Sequence, residues 1–423
     1  MDYLYTHKND DIIKPVVIEN IKLEWKLKKQ SLLFKNDYEE ISKKKEEIDS
    51  LENNEIWDKM KKIGNPYELI YTTYHRKKKN DSISKYIPLS RSYFKMWEIY
   101  HNYPIIQTFP LNTTFHFAHL AEGPGGFMEA SYNYLQYLRN KDKNNLKKEK
   151  CNDIYEGITL KPHNEYVPDW NKIKKIFGKE TNINVNYGNL YIYEDALEYI
   201  KKFEIDKAHI VTADGGFDYS SDFNGQELNS CQIIYSEVVI ALKILIEKGT
   251  FICKVFDLFS VPMIRILDIL QRNFEYMYIY KPESSRPANS EKYIICMNFL
   301  NKISENHKDE LLYNIKRWNN MIESKNEIYK KEYFIDIVNI KSRSQLIHEL
   351  NIYNKNYLNY QKKSLNKILD IAKNNPSSII DKKEYDILIK TQVQNAYNWC
   401  IKYNIPINNE SIYWKKYSTF IKK

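Results

Sequence analysis

Apolar and polar residues recur with one period in the middle of the chain and with another at its ends. Between about residues 115 and 300, short apolar runs of strand length take turns with longer segments whose apolar positions return every three to four residues. "TFHFAHLAE" predicts a strand and "GFMEASYNYLQYLRN" the helix after it. "IYEGITL", "NVNYG" and "AHIVTAD" predict three more strands, with a helix over "EDALEYIKKF" before the last of them. A long helix over "QELNSCQIIYSEVVIALKILIEKG" follows, then the strand "GTFICKVFD", the helix "VPMIRILDILQRNF" and the strands "EYMYIYKP" and "KYIICMNFL". Strands parted by helical segments imply right-handed crossovers and a doubly wound, mostly parallel α/β sheet, which binds ligands at the carboxyl ends of its strands.

The ends read as helical. "NDYEEISKKKEEIDSLENNEIWDKMKKI" offers only a thin apolar stripe of Ile41, Ile48, Leu51 and Ile56, and three helical segments after Asn301 are broken by "NNPSS" around Pro376. The expected division is a helical region over 1–84, an α/β domain over 85–300 and a helical accessory domain over 301–423. The charged run "RNKDKNNLKKEK" reads as a surface insertion within the middle part.

Composition sharpens this picture in two places. Ten of the 11 glycines lie between Gly123 and Gly249, so close backbone approach is concentrated in the α/β part. The 64 Lys and Arg against 55 Asp and Glu give a net charge of +9, which favours an anionic partner such as nucleic acid. Five scattered cysteines without a CxxC pair suit a reducing compartment better than disulfides or zinc. The amino-terminal "MDYLYTHKNDD" lacks the apolar core of a signal peptide, and no apolar run approaches the ~18 residues of a membrane span. A cytoplasmic protein without a membrane partner is expected.

Candidate chemistry gathers at the predicted strand ends. Gly123, Gly125 and Gly126 in "LAEGPGGFMEA" stand between a strand and a helix, where a chain turns tightly and lets a nucleotide-like ligand near its backbone. Their spacing is neither GxGxxG nor a phosphate-binding P-loop. A second cluster, Asp214-Gly215-Gly216 in "HIVTADGGFD", ends another apolar strand on the same rim. Lys254 lies inside the apolar strand "FICKVFD", where a lone cation is costly unless paired, and Glu291 follows "KPESSRPANS". His116 and His119, three apart on a strand, face opposite sides, and no metal site is expected.

Together "YFKMWEI", "LAEGPGGFMEA", "GITL", "TADGGFD", "FICKVFD" and "KPESSRPANSEKYIIC" resemble, in order, the RrmJ/FtsJ-like S-adenosylmethionine-dependent RNA 2′-O-methyltransferases over roughly residues 85 to 300. "SRPANSEKY" is most similar to the cap-methylating branch of eukaryotes and large DNA viruses. The resemblance implies a Rossmann-like methyltransferase fold with helical extensions and a Lys-Asp-Lys-Glu tetrad of Lys95, Asp214, Lys254 and Glu291. It implies S-adenosylmethionine as cofactor, held around Glu122, Gly123, Gly125, Gly126, Phe127 and Asp214. Thr159 and Asn189 stand where many members carry acidic residues beside the cofactor.

Methyl transfer to a 2′-hydroxyl joins a nucleophile that is losing its proton to a cationic sulfonium, so charge disappears on the way to the transition state and a dry site favours it. Lys254 is the expected base, pushed toward neutrality by burial and by Lys95, while the carboxylates oppose that shift. The implied substrate is capped mRNA at its first transcribed nucleotide, with other capping subunits as a further partner class. Ribosomal or transfer RNA, or a non-catalytic role in a capping assembly, are the alternatives. Arg286 resembles an arginine near RNA phosphates, and Arg76, Lys77 and Lys78 form a basic run with Lys79. Trp57, Trp97, Trp170 and many tyrosines are open candidates for stacking on a cap guanine.

Overall fold

The computed structural model describes residues 26–29, 31–49, 54–72, 81–142, 151–162, 169–177, 181–216, 224–323, 333–336, 344–375 and 380–421. Two strands, β1 (Lys26–Lys29) and β9 (Tyr333–Asp336), pair with each other in antiparallel fashion. Seven others form the main sheet. They are β2 (His116–Leu120), β3 (Ile154–Thr159), β4 (Asn182–Tyr187), β5 (Ala208–Ala213), β6 (Leu245–Val255), β7 (Phe274–Tyr280) and β8 (Lys292–Phe299). Their order is β4-β3-β2-β5-β6-β8-β7, with only β8 running against its neighbours. The fold is Rossmann-like and doubly wound, as the alternation of elements predicts.

The chain starts this sheet at β2, winds outward to β4 and returns to lay β5 on the other side of β2. That reversal opens a crevice at the carboxyl ends of β2 and β5. Every residue of β2 is buried, as an inner strand with helices on both faces requires. The helix Gln226–Ile244 is apolar nearly all round for the same reason, with 14 of its residues buried. It ends earlier than its periodicity predicts. Leu245 already pairs with Ala208 on β5, and Lys248 takes a left-handed φ of 65° before the ladder resumes at Thr250.

The chain forms two compact units. The first comprises 1–35, 104–281 and 291–354 and contains the sheet; the second comprises 36–103, 282–290 and 355–423. This grouping differs from the expected division into three consecutive stretches. In the second unit the carboxylate of Glu98, on the helix Ser92–Asn102, accepts hydrogen bonds from Glu283 N (2.6 Å), Ser284 N (3.1 Å), Ser284 Oγ (3.0 Å) and Trp399 Nε1 (2.9 Å). Early, middle and late segments therefore share one buried anchor. Ile41, Ile48 and Ile56 of the expected stripe are buried, whereas Leu51 lies outside the described residues. No helix among the described residues is long and apolar enough to cross a membrane.

Candidate active site

The glycine-rich turn begins where β2 ends. Gly125 caps the helix Gly126–Lys141 with a left-handed φ of 104°, and an added Cβ there would run into Ile173 Cδ1. Only glycine meets both demands. Gly125 N donates to Glu122 O (2.7 Å), and Gly123 N donates to Thr159 Oγ1 (3.4 Å), so β3 braces the turn from the side. The first amides of the following helix lack intrahelical acceptors, as at any helix start, and such an end favours a carboxylate.

Glu122 stands just past the carboxyl end of β2 with its carboxyl buried. Its side chain is 1% exposed and turned into the core, where Thr212 Oγ1 donates to Oε1 and His119 Nδ1 lies 3.0 Å from Oε2. His119 Nδ1 also lies 2.8 Å from Thr212 Oγ1. Burial raises the Glu122 pKa well above its usual 4.5 and lowers that of His119 to about 3, so the imidazole is neutral. With the proton on Nδ1, the partnerless buried Nε2 is a lone pair rather than an orphaned donor, the cheaper arrangement. The cluster holds the turn from below. His116 instead stacks on Phe203 and turns Nδ1 to Asp206 O (2.9 Å). Among the described residues, no group of three His, Cys, Asp or Glu side chains could hold a metal.

Register assembles the charged centre. Ala213 pairs with Cys253, and Lys254 pairs with Tyr293, so Asp214, Lys254 and the start of β8 meet at one end of the sheet. Lys254 Nζ lies 3.3 Å from Asp214 Oδ1 and donates to Asp214 O at 2.7 Å. Tyr293 Oη is 3.1 Å from Asp214 Oδ1 and 3.3 Å from Glu291 Oε1, sharing one proton between two carboxylates. Burial alone would lower the Lys254 pKa, but Asp214, Glu291 and Glu237 outweigh it and raise the pKa above 10.5. Of the two opposing influences that the sequence sets against each other, burial and the carboxylates, the carboxylates prevail. An added Cβ on Gly216 would stand 2.9 Å from Lys254 Nζ, so the glycine leaves the ammonium room.

Two residues of this centre were not singled out from the sequence. Tyr293 stands two positions after Glu291, and the period of a strand puts both side chains on one side. Glu237 lies in the apolar run "IIYSEVVIALKILI", where a single carboxyl is conspicuous. It is wholly buried, accepts from Gly215 N (3.1 Å) and Cys253 Sγ (3.6 Å), and fills the space that a Cβ on Gly215 would need. Burial raises its pKa to about 8 against the opposing charge of Lys254.

The other expected residues divide. Thr159 is buried and engaged with Gly123, while Asn189 Oδ1 accepts from Tyr191 N (3.0 Å) and Asn189 N donates to Asp195 Oδ2 (2.7 Å). Asp195 thereby brings a carboxylate to the end of β4 that position 189 does not supply. Phe127 is buried against Tyr293, with ring centroids 5.7 Å apart. Lys95 is half-buried on the helix Ser92–Asn102 of the second unit. Arg286, also in that unit, is paired with Glu68 through Nη2 (3.1 Å) and Nε (3.3 Å). Arg76, Lys77, Lys78 and Lys79 lie outside the described residues. Trp57, Trp97 and Trp170 are all buried, and Trp170 closes on Gly125 and Gly157, so none offers an open face for stacking.

A mostly parallel sheet with a glycine-capped helix at its switch point and a Lys–carboxylate centre at the strand ends is a frame that suits a nucleotide-like ligand. Residues 88–299 match the FtsJ-like methyltransferase model, and the chain belongs to that family, whose methyl donor is S-adenosylmethionine. The chain is 33% identical over 190 residues to cap-specific mRNA (nucleoside-2′-O-)-methyltransferase 1 of Drosophila melanogaster, covering 43% of this chain and 22% of that protein. It is 29% identical over 226 residues to cap-specific mRNA (nucleoside-2′-O-)-methyltransferase 2 of the same organism, covering 52% of this chain and 31% of that one. A solved ribosomal RNA methyltransferase of Plasmodium falciparum superimposes with a TM-score of 0.35 at 18% identity, covering 50% of this chain and 98% of that one. The chain spans between 22% and 31% of the length of these two curated relatives.

The donor set fits S-adenosylmethionine. The helix start after Gly125 would suit its carboxylate, Asp214 its cationic end, and Asn189 and Asp195 the hydroxyls of a ribose.

Proposed function

We propose that this chain methylates the ribose 2′-hydroxyl of RNA, with the first transcribed nucleotide of capped mRNA as its substrate. The observation that carries the reading is the Asp214–Lys254–Glu291 centre, bridged by Tyr293 and set beside the glycine turn. S-Adenosylmethionine supplies an activated methyl on a sulfonium cation. Lys254 Nζ is the group that meets the attacking hydroxyl. It rests as an ammonium because Asp214 and Glu291 favour its charge, so it orients the oxygen as a donor and takes up a proton only after shedding its own. The ammonium proton it sheds passes to solvent, and sharing the Asp214 charge with a bound cation would favour that release. Tyr293 keeps the two carboxylates from spreading apart, and Glu237 fixes the Asp214–Gly215 peptide from behind. Lys95 is the proposed fourth member of the tetrad, supported by motif order alone. Five free cysteines support a reducing place of action such as the cytoplasm.

The test is methyl transfer from labelled S-adenosylmethionine to short RNAs ending in m7GpppA, in m7GpppAm, or without a cap, using wild type and Lys254→Ala. Label on m7GpppA alone, lost in the variant, is the expected result. Equal labelling of uncapped RNA would move the substrate to structured RNA, and no labelling by folded protein would refute the catalytic reading.

A further inference from the structure

The two units share the chain's charge unequally. The first holds 37 Lys and Arg and 37 Asp and Glu, while the second holds 27 against 18, so the whole excess of +9 resides there. A lysine-rich genome would enrich both. The imbalance is steepest over 355–423, with 13 Lys against 5 acidic residues.

One helix gives this charge a shape. In Ser344–Asn374, the residues Lys355, Asn359, Lys363 and Lys367 follow at steps of four, and all are exposed. Steps of four place them on one face, rising ~6 Å each. Leu358, Gln361, Leu365, Ile368, Leu369 and Ala372 form the buried face. Neighbouring ammonium groups at this spacing repel, and a merely solvated helix relieves that by interleaving acids. The helix Lys35–Asp49 of the same unit does so, with 4 Lys and 6 acidic residues. Residues 355–374 carry 5 Lys and only Asp370. Lys362 pairs with Glu40, Lys373 with Glu47, and Asp37 feels the charge of Lys355, so the Lys355 edge of the stripe faces the acidic helix Lys35–Asp49 and the Lys363–Lys367 edge turns away from it.

The same helix holds the loop that bears Arg286. Tyr357 Oη donates to Asn289 O (2.7 Å) and Gln361 Nε2 to Ala288 O (3.0 Å). Two carbonyls of loop 282–290 are thereby fixed to the helix that carries the lysine stripe.

We propose that the face formed by Lys355, Asn359, Lys363 and Lys367 is a track for the phosphates of one nucleic-acid strand, a single strand of the RNA substrate. This deepens the proposed function, since it gives the helical unit the task of holding substrate. Asn359 adds an amide that donates to a phosphate or a ribose without adding charge.

The test measures binding, not turnover. Full-length wild type, the triple variant Lys355→Gln, Lys363→Gln, Lys367→Gln and a control triple of exposed first-unit lysines, Lys201→Gln, Lys202→Gln, Lys302→Gln, are titrated with a labelled capped single-stranded RNA across a salt series. Three lost phosphate contacts at ~0.7 counterions each should make the log–log salt slope shallower by about 2, and weaken binding about a hundredfold at ~0.1 M salt. The control triple should follow wild type. An unchanged slope in the stripe variant, or an equal change in the control, overturns the proposal, as does loss of binding to an acidic protein with RNA binding intact. Absent methyl transfer by the wild type alongside the expected slopes would refute the proposed function and leave the track standing.

Discussion

Replacing Glu237 with Gln should remove a pH dependence of stability that the wild-type chain carries. Burial raises this carboxyl from the ordinary 4.5 to about 8, with the Lys254 charge opposing. A group whose folded pKa is raised gives stability that is complete below its unfolded pKa and drains as pH climbs through the folded one. Each unit of that window is worth ~1.4 kcal/mol, so between about pH 6 and pH 9 the wild type should lose about 3 kcal/mol that the variant keeps. Gln preserves the shape and an acceptor for Gly215 N–H, so lost packing does not confuse the comparison. Glu227, buried on the same helix among other partners and raised to about 7, titrates in both chains and cancels in the difference. Urea unfolding of both proteins at the two pH values reads the effect directly. A stability difference that is the same at pH 6 and pH 9 would show that the carboxyl is already ionised in the fold, and would refute the reasoning.

Tyr293→Phe removes the shared donor between Asp214 and Glu291 and should lower kcat about tenfold, a loss of ~1.4 kcal/mol, with the KM for RNA little changed; steady-state methyl transfer separates the two. Gly125→Ala forces a Cβ onto Ile173 in a left-handed turn at a cost of roughly 1–3 kcal/mol, and should weaken S-adenosylhomocysteine binding by calorimetry while the sheet stays folded. Because the Lys254 pKa is raised, the neutral amine grows with pH throughout the accessible range; kcat/KM should climb toward alkaline pH, and a flat profile from about pH 7 to 9 would remove Lys254 as the base. Glu98→Ala leaves the buried amides of Glu283 and Ser284 and the Trp399 indole without their acceptor, and should destabilise the second unit by roughly 3–5 kcal/mol in thermal unfolding.

The sheet was legible because strand and helix periods differ sharply and because glycines cluster where strands end. Asp214 and Lys254 stood out for a related reason, as charges at the end of and inside apolar strands where charge is expensive, whereas Glu291 was singled out by the resemblance of its motif. What escaped was whatever depends on three-dimensional neighbours. The buried positions of Glu122 and Phe127 follow from the tilt of the turn, which spacing does not encode. The direction of the Lys254 shift follows from the balance of three carboxyls, two of them brought by distant segments. The three tryptophans could not be sorted into core and surface without packing, and all three fell in the core. Glu98, a single acid in an aromatic helix, is one of the residues that join 36–103 with 282–290 and 355–423, and nothing in its local sequence announces partners so far along the chain.

That grouping has a consequence for biosynthesis. Glu98 leaves the ribosome well before Ser284, and Ser284 well before Trp399, yet all three close one polar knot. The second unit therefore cannot complete itself until Trp399 has emerged, and a buried-type carboxylate waits without that partner until then. Truncating the carboxyl-terminal helices would remove part of a shared core rather than an appendage, and a fragment ending near residue 300 would begin life with that knot untied.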